Sequence, residues 1–521
     1  MMKLNKIYYS LFAVILLVGC EKEFLTEYPT SFITPKQIAD IAKIDPEVQA
    51  GLLAGIYENI YKPGSGGTDA HTDFGQRGID IKTDLLSADM VLGGKNYGWY
   101  SDYSELTNTT DYTNSENYQP WRFYYRIVNL SNIVIDGFGG RDAVPDTAAG
   151  RHNLGQALTT RGYAYFYLTQ LFQNGYDPDQ KILPIYPDAS TPNTPKSKAS
   201  EVFDFIKDDL TAAKSLMDDF TRSSVSQADQ FVASTVLALA YGAQGKWAEA
   251  AAESAIIVNT SGKRVINRDE VVYDGGNDAV GGFNSTSNYS NSVLWGVDLT
   301  TDSSIDLLSF WGQVDYYTYS YAWAGDPKII DAGLVAEIGS DDARYYQFDA
   351  YNWPDGKFYH EKRKVGGQRV IEADYFYFRY ADMVLLHAEA QANLGNDATA
   401  ITVLKILMDE RLDDTTYLDV LSGQDLIDEI YLQTRIELWG EGKSYLAMKR
   451  NKATITRGSN WIDFAGESYD YNDEKLTFEI PEEEIEPVEE LSYKSVELIQ
   501  PAGPEFESNL EPEPEPEPEP E

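Results

Sequence analysis

Apolar residues recur with a helical period along much of this chain. In 200–217 they return every three to four positions, with Asp and Lys residues on the opposite side. This spacing places the apolar side chains in one stripe and predicts an amphipathic helix. The stretches 121–138 and 151–172 are apolar on nearly all sides, which is typical of buried helices. The pattern therefore predicts a mainly α-helical protein. The stripe in 200–217 consists of Val202, Ile206, Leu210, Ala213 and Met217.

Two later segments predict helical hairpins of the tetratricopeptide type. Each has a helix, a glycine turn and a second helix, and small residues recur at the same places 150 residues apart. Small side chains let paired helices approach closely, and glycine permits the tight reversal between them. A capping box at 226–229 (Ser-Gln-Ala-Asp) is expected to open the first helix. Such hairpins are expected to stack into an α-solenoid core. The matching residues are Ala240, Gly245, Ala248 and Ala250, then Ala390, Gly395, Ala398 and Ala400.

Two long stretches interrupt the helical pattern. Residues 62–120 and 259–375 mix Gly, Asn and Ser with many aromatic residues and show little periodicity. Loops of this length inside a compact domain are uncommon unless they are functional or disordered. The chain contains 37 Tyr, 21 Phe and 9 Trp, and such aromatic content argues against disorder. We therefore expect ordered, functional loop inserts in the helical core.

The first twenty residues predict a lipoprotein signal. Lys3 and Lys6 precede an apolar run over 8–18, which is shorter than the ~20 residues that span a bilayer. The run ends in Leu-Val-Gly-Cys, which resembles a bacterial lipobox. We expect a signal peptide at 1–19 and acylation of Cys20, the only cysteine, with 20–40 as a lipidated tether. An ordinary cleaved signal is the alternative.

Composition excludes several classes of function. The formal net charge of -41 and the pI near 4.3 argue against nucleic-acid binding, because phosphates would be repelled. A lone cysteine cannot form an internal disulfide, and the four His residues contain no His-Glu-x-x-His motif. The sequence thus predicts no catalytic residue, no metal site and no cofactor. A glycosidase carboxylate pair stays open as a minor alternative, since 83 acidic residues make chance pairs inevitable.

Five segments of the chain are distinctive in their order. They are FLTEYPTSFIT (24–34), ALTTRGYAYFYLTQLF (157–172), YFYFRYADMVLLHAEAQANLG (375–395), RIELWGEGKSYLAMKR (435–450) and KLTFEIPEEEI (475–485). In this order they resemble the SusD/RagB family of Bacteroidota outer-membrane lipoproteins. The resemblance runs from Cys20 to about residue 486, and 375–395 is its most specific part. Each segment is weak alone, but five in order together with a lipobox are specific.

The resemblance implies a SusD-like fold: an α-solenoid whose four tetratricopeptide-like hairpins support long irregular loops that form a ligand-binding face. It also implies a partner, a SusC-like TonB-dependent transporter, on which the lipoprotein sits as a lid. The implied ligand is an oligosaccharide or polysaccharide captured at the cell surface. The implied location is the outer membrane, lipid-anchored and facing the exterior, and Glu21-Lys22-Glu23 resembles an export signal of such lipoproteins.

The two aromatic loop regions contain the candidate ligand contacts. Sugars present flat C–H patches and a rim of hydroxyls, so a site needs aromatic faces for stacking and planar polar groups for the rim. In the family the ligand face is built from corresponding regions. Any one of these aromatics is more often a core or interface residue than a ligand contact. The predicted glycan contacts are Arg77, Asp80, Asn96, Tyr97, Trp99, Tyr100, Trp295, Trp311, Tyr317 and Trp323, with Tyr319 and Tyr321 in the same stretch.

Charged residues within the helical segments are expected to be structural. Arg161 and Arg379 sit among aromatic residues, and Glu437 lies near Arg435. Arg can pair with a carboxylate and stack on a ring at the same time. We therefore expect buried ion pairs here rather than ligand contacts.

The C-terminus departs from the family pattern. The predicted SusD-like domain covers 41–486, and 487–521 is an acidic Glu/Pro-rich tail that is expected to be disordered. Family members usually end soon after the Ile-Pro element, so the tail puts C-terminal docking in doubt. Three alternative functions stay open at this point: capture of peptides by a RagB-like protein, a surface hydrolase, and an adhesin or scaffold.

Overall fold

The computed structural model describes residues 46–273, 281–316, 319–359 and 371–485. The predicted signal peptide (1–19), the tether with Cys20 (20–40), the tail (487–521) and Tyr317 lie outside these ranges. Among the described residues, no helix combines the length and apolarity needed to cross a membrane.

The described residues are mainly helical, which confirms the predicted fold class. The predicted helices at 121–138, 151–172 and 200–217 are present with shifted starts. The helices are α1 (Pro46–Tyr61), α2 (Gln76–Leu86), α3 (Ser101–Glu105), α4 (Ser115–Phe138), α5 (Ala148–Leu171), α6 (Ala199–Leu216), α7 (Gln230–Ala243), α8 (Trp247–Thr260), α9 (Phe310–Val314), α10 (Ala332–Ala336), α11 (Tyr380–Asn393), α12 (Asp397–Met408), α13 (Gly423–Glu437), α14 (Ser444–Asn451) and α15 (Glu482–Ile485).

Short strands form two-stranded antiparallel ribbons between these helices. β1 pairs with β5, β2 with β3, β4 with β6, and β7 with β8. Because β1 and β5 are far apart in sequence, their pairing joins the two loop regions. The strands are β1 (Met90–Leu92), β2 (Lys181–Leu183), β3 (Ser197–Lys198), β4 (Val293–Val297), β5 (Lys328–Ile330), β6 (Tyr375–Arg379), β7 (Thr454–Thr456) and β8 (Ser468–Asp470).

The two predicted helical hairpins have the same turn. Gly245 and Gly395 both adopt positive φ, 69° and 75°, which favours glycine. The residue after each glycine donates its N–H over the turn, Lys246 to Tyr241 and Asn396 to Gln391, at 2.9 Å in both cases. The hairpins α7–α8 and α11–α12 are neighbours, because α8 packs against α11.

The start of α7 differs from the prediction. Asp229, rather than Ser226, caps the helix: its carboxylate accepts the N–H groups of Phe231 and Val232 at 3.0 and 3.1 Å. The carbonyl of Ser226 accepts the indole N–H of Trp295 instead. The predicted capping box is therefore wrong, since Asp is as good a cap as Ser and stands next to the helix.

The predicted ion pairs are present, with one change of partner. Arg161 donates two bonds to the Asp209 carboxylate, at 2.7 and 2.8 Å, and both side chains are buried. Arg379 pairs with Glu437, and Arg435 pairs with Asp89 rather than with its sequence neighbour. Burial alone would raise the pKa of Glu437, but Arg411 and the other surrounding guanidinium groups lower it far below the ordinary value. These charges are structural, as expected.

The predicted loop 62–120 contains a buried helix, α2. All eleven of its residues are buried, including polar ones. Its N-terminal neighbour Gly75 has no room for a side chain, because a Cβ there would lie 2.1 Å from the carbonyl oxygen of Ile60. The helix escapes sequence analysis because it is short and its buried face includes charged residues whose partners are distant in sequence.

Candidate functional site

The β1–β5 ribbon brings the two predicted binding regions together. Met90 lies opposite Ile330, and Leu92 lies opposite Lys328. The chain leaves β1 at the same end at which it enters β5, as in any antiparallel pair. The loop after β1 and the loop before β5 therefore emerge side by side.

The carboxylate of Asp326 fixes the loop after β1. It accepts the backbone N–H groups of Asn96, Tyr97 and Gly98, the last two at 3.0 and 3.2 Å. The side-chain amide of Asn96 in turn donates to the carbonyl of Ala324 at 2.8 Å. Because Asp326 is buried and saturated by these donors, it organises the turn and is not a free acid or base.

Four rings from the two regions form one surface cluster, the aromatic platform (His71, Tyr97, Trp99 and Tyr321). His71 stacks on Trp99 with ring centroids 4.7 Å apart and planes 3° apart. Tyr321 meets both His71 and Tyr97 edge to face, at 5.6 and 5.4 Å. The Nδ1 atom of His71 also hydrogen-bonds the Tyr321 hydroxyl. Tyr97 is 60% exposed, so the platform presents a ring to solvent.

Further aromatic residues continue along the loop before β5. Trp323 is 61% exposed, and its backbone N–H donates to the hydroxyl of Ser320 at 3.1 Å. It precedes Ala324, the residue that Asn96 contacts. Tyr319 is also exposed. Flat rings and an exposed amide therefore lie together, as stacking on a sugar with a polar rim requires.

The platform is uncharged at neutral pH. Burial lowers the pKa of His71, and the nearby Asp69 opposes this shift. Burial also raises the pKa of the Tyr321 hydroxyl, and Tyr319 and Tyr97 add to the rise. A neutral aromatic surface suits a neutral ligand better than a charged one.

Two predicted contacts, Trp295 and Trp311, are wrong. Each is 1% exposed. The indole N–H of Trp311 donates to the carbonyl of Ala373 at 2.9 Å, and Trp295 lies in β4 against Tyr163 and Tyr377. Both side chains belong to the hydrophobic core, so neither can stack on a ligand in this structure.

The predictions of Arg77, Asp80 and Tyr100 as ligand contacts are also wrong, because all three side chains are buried. Arg77 donates to Asp80 at 2.8 Å and to the carbonyl of Gly440 at 2.9 Å. Its guanidinium also lies 3.8 Å from the ring centroid of Phe310. Tyr100 is buried, and the ammonium of Lys328 lies 5.0 Å from its ring centroid. These three side chains pack in the interior beneath the loops and do not reach solvent.

Of the predicted contacts, the structure brings together Asn96, Tyr97, Trp99 and Trp323, with Tyr321 beside them. Sequence reasoning missed His71 and Asp326. His71 opens the same aromatic stretch, but a single histidine outside any His-Glu-x-x-His motif gives no local signal of a role in binding. Asp326 carries no local mark, because its three donors lie about 230 residues away in the chain.

The fold and the surface together define a mainly helical protein with an exposed aromatic face held on loops. Among the described residues, no three metal-ligating side chains come together. Residues 308–493 match the SusD family profile, and residues 82–241 match a SusD-like profile described as starch-binding associating with outer membrane. The chain is therefore similar to SusD family proteins over these two stretches.

Solved structures show the same fold at low sequence identity. A SusD-like carbohydrate binding protein from Bacteroides vulgatus is 22% identical with a TM-score of 0.68, and the match covers 84% of this chain and 96% of that one. A SusD superfamily protein from Bacteroides thetaiotaomicron is 19% identical, with a TM-score of 0.68 and coverage of 85% and 98%. Surface glycan-binding protein A from the same species, solved with laminarihexaose, is 14% identical, with a TM-score of 0.63 and coverage of 84% and 97%. A search of the curated proteins finds no significant match.

Proposed function

We propose that this protein captures a neutral glycan on the aromatic platform and its neighbour Trp323. The observation that carries the proposal is the ring cluster that two distant loops build beside the carboxylate of Asp326. Tyr97 and the neighbouring Trp323 are exposed, His71 and Trp99 are half-buried, and the buried Tyr321 supports them. A surface of this kind matches the flat faces of pyranose rings. The match to a profile described as starch-binding supports the same ligand class, and a structural neighbour was solved with laminarihexaose.

The site is expected to bind weakly and by preformed geometry. The backbone of the turn is fixed by hydrogen bonds, so little ordering is needed on binding. A shallow surface excludes little water. A single site is therefore expected to bind with a Kd in the micromolar range or weaker, which corresponds to a binding free energy no more favourable than about -8 kcal/mol. Repeated contacts along a polymer raise the avidity.

Affinity electrophoresis of the chain from residue 21 tests the ligand class. The gels contain amylopectin, laminarin or polygalacturonate, and Trp99→Ala and Tyr112→Ala run beside the wild type. We expect retardation by a neutral glucan, and a loss of about 30-fold in affinity for Trp99→Ala, as for a central aromatic contact worth about 2 kcal/mol. Tyr112 is an exposed tyrosine outside the platform, so its variant is expected to match the wild type.

The outcomes separate glycan capture from its rivals. No retardation in any gel would overturn glycan capture and favour the peptide-binding alternative. Release of reducing ends from the polymer would favour a hydrolase. Equal retardation of the wild type and Trp99→Ala would place the glycan site elsewhere on the protein.

The proposed delivery step uses a SusC-like TonB-dependent transporter at the outer membrane, with the protein anchored through Cys20. The similarity to SusD family proteins and the lipobox-like sequence support this assignment. Cys20→Ala is expected to abolish acylation in cells and to move the protein from the membrane fraction to the soluble fraction. Failure of the tagged wild type to co-purify with a TonB-dependent transporter would contradict the delivery step.

A further inference from the structure

A second group of aromatic residues at the surface lies outside the platform, with Tyr316 and Tyr351 exposed and Trp353 half-buried. Tyr316 and Trp353 meet edge to face, with ring centroids 4.6 Å apart. Tyr351, two residues before Trp353, is 77% exposed. We call Tyr316, Tyr351 and Trp353 the second aromatic site.

The backbone that presents this site is fixed. The carboxylate of Asp349 accepts the N–H groups of Tyr351 and Trp353 at 2.8 and 2.9 Å. Asp349 and Trp353 are also joined backbone to backbone, since the N–H of Asp349 donates to the carbonyl of Trp353 at 3.0 Å. Asn352 adopts φ 66° within this turn, a conformation that Asn tolerates better than most residues. A rigid turn that exposes aromatic rings is a low-entropy binding surface.

The turn is attached to the same ribbon that positions the platform. The N–H of Ile330, at the end of β5, donates to the carbonyl of Asn352 at 3.0 Å. Asp326, which fixes the platform loop, stands four residues earlier on the other side of β5. Four residues of extended chain span about 13 Å. The Cα atoms of Asp326 and Ile330, which hold the two loops, are therefore separated by at most about 13 Å.

The loop before β5 also contributes residues to both sites. Tyr316 belongs to the second site and Tyr321 to the platform, and five residues span at most about 19 Å between Cα atoms. Tyr319 lies between them in sequence, is exposed, and is near enough to Tyr321 to add to the rise in its pKa. Along the chain, the exposed rings of Tyr316 and Tyr319 thus lead from the second aromatic site to the platform residue Tyr321.

The chemistry of the second site fits an uncharged glycan. The carboxylate of Asp349 faces its own turn and is engaged by two N–H groups there. In the segment 349–353 the only aliphatic side chain is that of Ala350. The site thus offers ring faces and polar groups, as sugar binding requires.

We propose that the second aromatic site binds the same glycan chain as the platform, so that the protein recognises an extended oligosaccharide. The inference rests on the proposed function. It goes beyond it by naming a separate contact region and by predicting a dependence on ligand length. Short oligosaccharides would occupy the platform alone, and longer ones would reach Tyr351 and Trp353 as well.

Isothermal titration of the chain from residue 21 with a length series tests this proposal. The probes are the oligosaccharides of two to seven units from whichever of amylopectin, laminarin or polygalacturonate retards the wild type. Tyr351→Ala is the main variant because that side chain is largely exposed, and Trp353→Ala is the second. Tyr112→Ala is the control, since Tyr112 is an exposed tyrosine outside both sites.

We expect Tyr351→Ala to weaken binding of the heptasaccharide by about fivefold, the scale of one aromatic contact, and to leave the disaccharide unchanged. Trp99→Ala should weaken both. Wild-type affinity for every length in Tyr351→Ala and Trp353→Ala, with binding lost in Trp99→Ala, would overturn the second site and leave the proposed function intact. No binding by the wild type would overturn both. A change in sedimentation mass of Tyr351→Ala, with glycan affinity unchanged, would identify a protein interface instead and overturn the proposal.

Discussion

Aromatic residues from two parts of the same loop region differ sharply in their exposure to solvent. Trp295 and Trp311 are core residues, whereas Tyr319 and Trp323, which follow within twelve residues of Trp311, face solvent. Similar residue types occupy both parts. The difference is that Trp295 lies in a strand and Trp311 in a helix whose residues are all buried, while Trp323 lies on a turn.

The comparison shows how the aromatic content of this protein is divided. Rings in regular elements hold the loops together and pack in edge-to-face pairs, as Trp295 does with Tyr163 at 5.0 Å. Rings on turns are free to serve as a surface, provided that something fixes the turn. At the platform, that fixing group is Asp326.

Removal of a buried ring gives the strongest test of this division. Trp295→Ala is expected to lower the free energy of unfolding by about 4 kcal/mol, because it leaves a large cavity and an unpaired carbonyl at Ser226. Trp323→Ala, the matched exposed variant, should stay within about 0.5 kcal/mol of the wild type. Urea denaturation followed by circular dichroism measures both. Equal stability of the two variants would contradict the division.

The polar residues that the sequence predicts for the rim of the ligand site also divide into buried structural residues and exposed ones. Arg77→Ala is expected to cost about 3 kcal/mol in the free energy of unfolding, because it leaves the buried carboxylate of Asp80 without its guanidinium partner. Asn96→Ala removes one exposed hydrogen bond and should cost about 1 kcal/mol or less. The same denaturation experiment applies, and an effect of Asn96→Ala as large as that of Arg77→Ala would show that the exposed turn is structurally essential.

His71 lies between the two classes, since it is half-buried and supports exposed rings. His71→Ala is expected to reduce glycan affinity about fivefold, because Trp99 loses its stacked partner and Tyr321 its hydrogen bond. His71→Phe keeps a ring against Trp99 and should recover part of the affinity. Titration calorimetry with the retained glycan measures both variants, and wild-type affinity in His71→Ala would exclude a positioning role.

The pH dependence of stability gives a smaller effect at the same residue. Burial lowers the pKa of folded His71 below the ordinary value of 6.5, so the unfolded chain binds more protons than the folded one below about pH 6.5. The contribution of His71 to stability is therefore lost as the pH falls through this window. We expect the denaturation midpoint of His71→Phe to fall less than that of the wild type between pH 7 and pH 5. Identical slopes would contradict the lowered pKa.

The candidate site is predictable from sequence only in part. Aromatic richness indicates the two regions that lie side by side at the platform, and it selects Tyr97, Trp99 and Trp323, which remain predicted contacts. It also selects Trp295, Trp311 and Tyr100, because a buried and an exposed aromatic residue have the same local signature. His71 and Asp326 were missed because their roles depend on partners across the ribbon.

Local sequence determines the long core helices and the glycine turns of this protein, but not the short buried helix α2. Apolar period, small residues and a positive φ at Gly245 and Gly395 act within a few residues, so they can be read along the chain. Exposure is decided by the tertiary structure. Trp311 is buried, and its indole N–H bonds the carbonyl of Ala373, 62 residues away in the chain. Tyr97 is exposed, on a turn whose backbone is bonded to Asp326, 229 residues away. Burial and hydrogen-bond satisfaction are properties of such long-range contacts, and no local pattern encodes them.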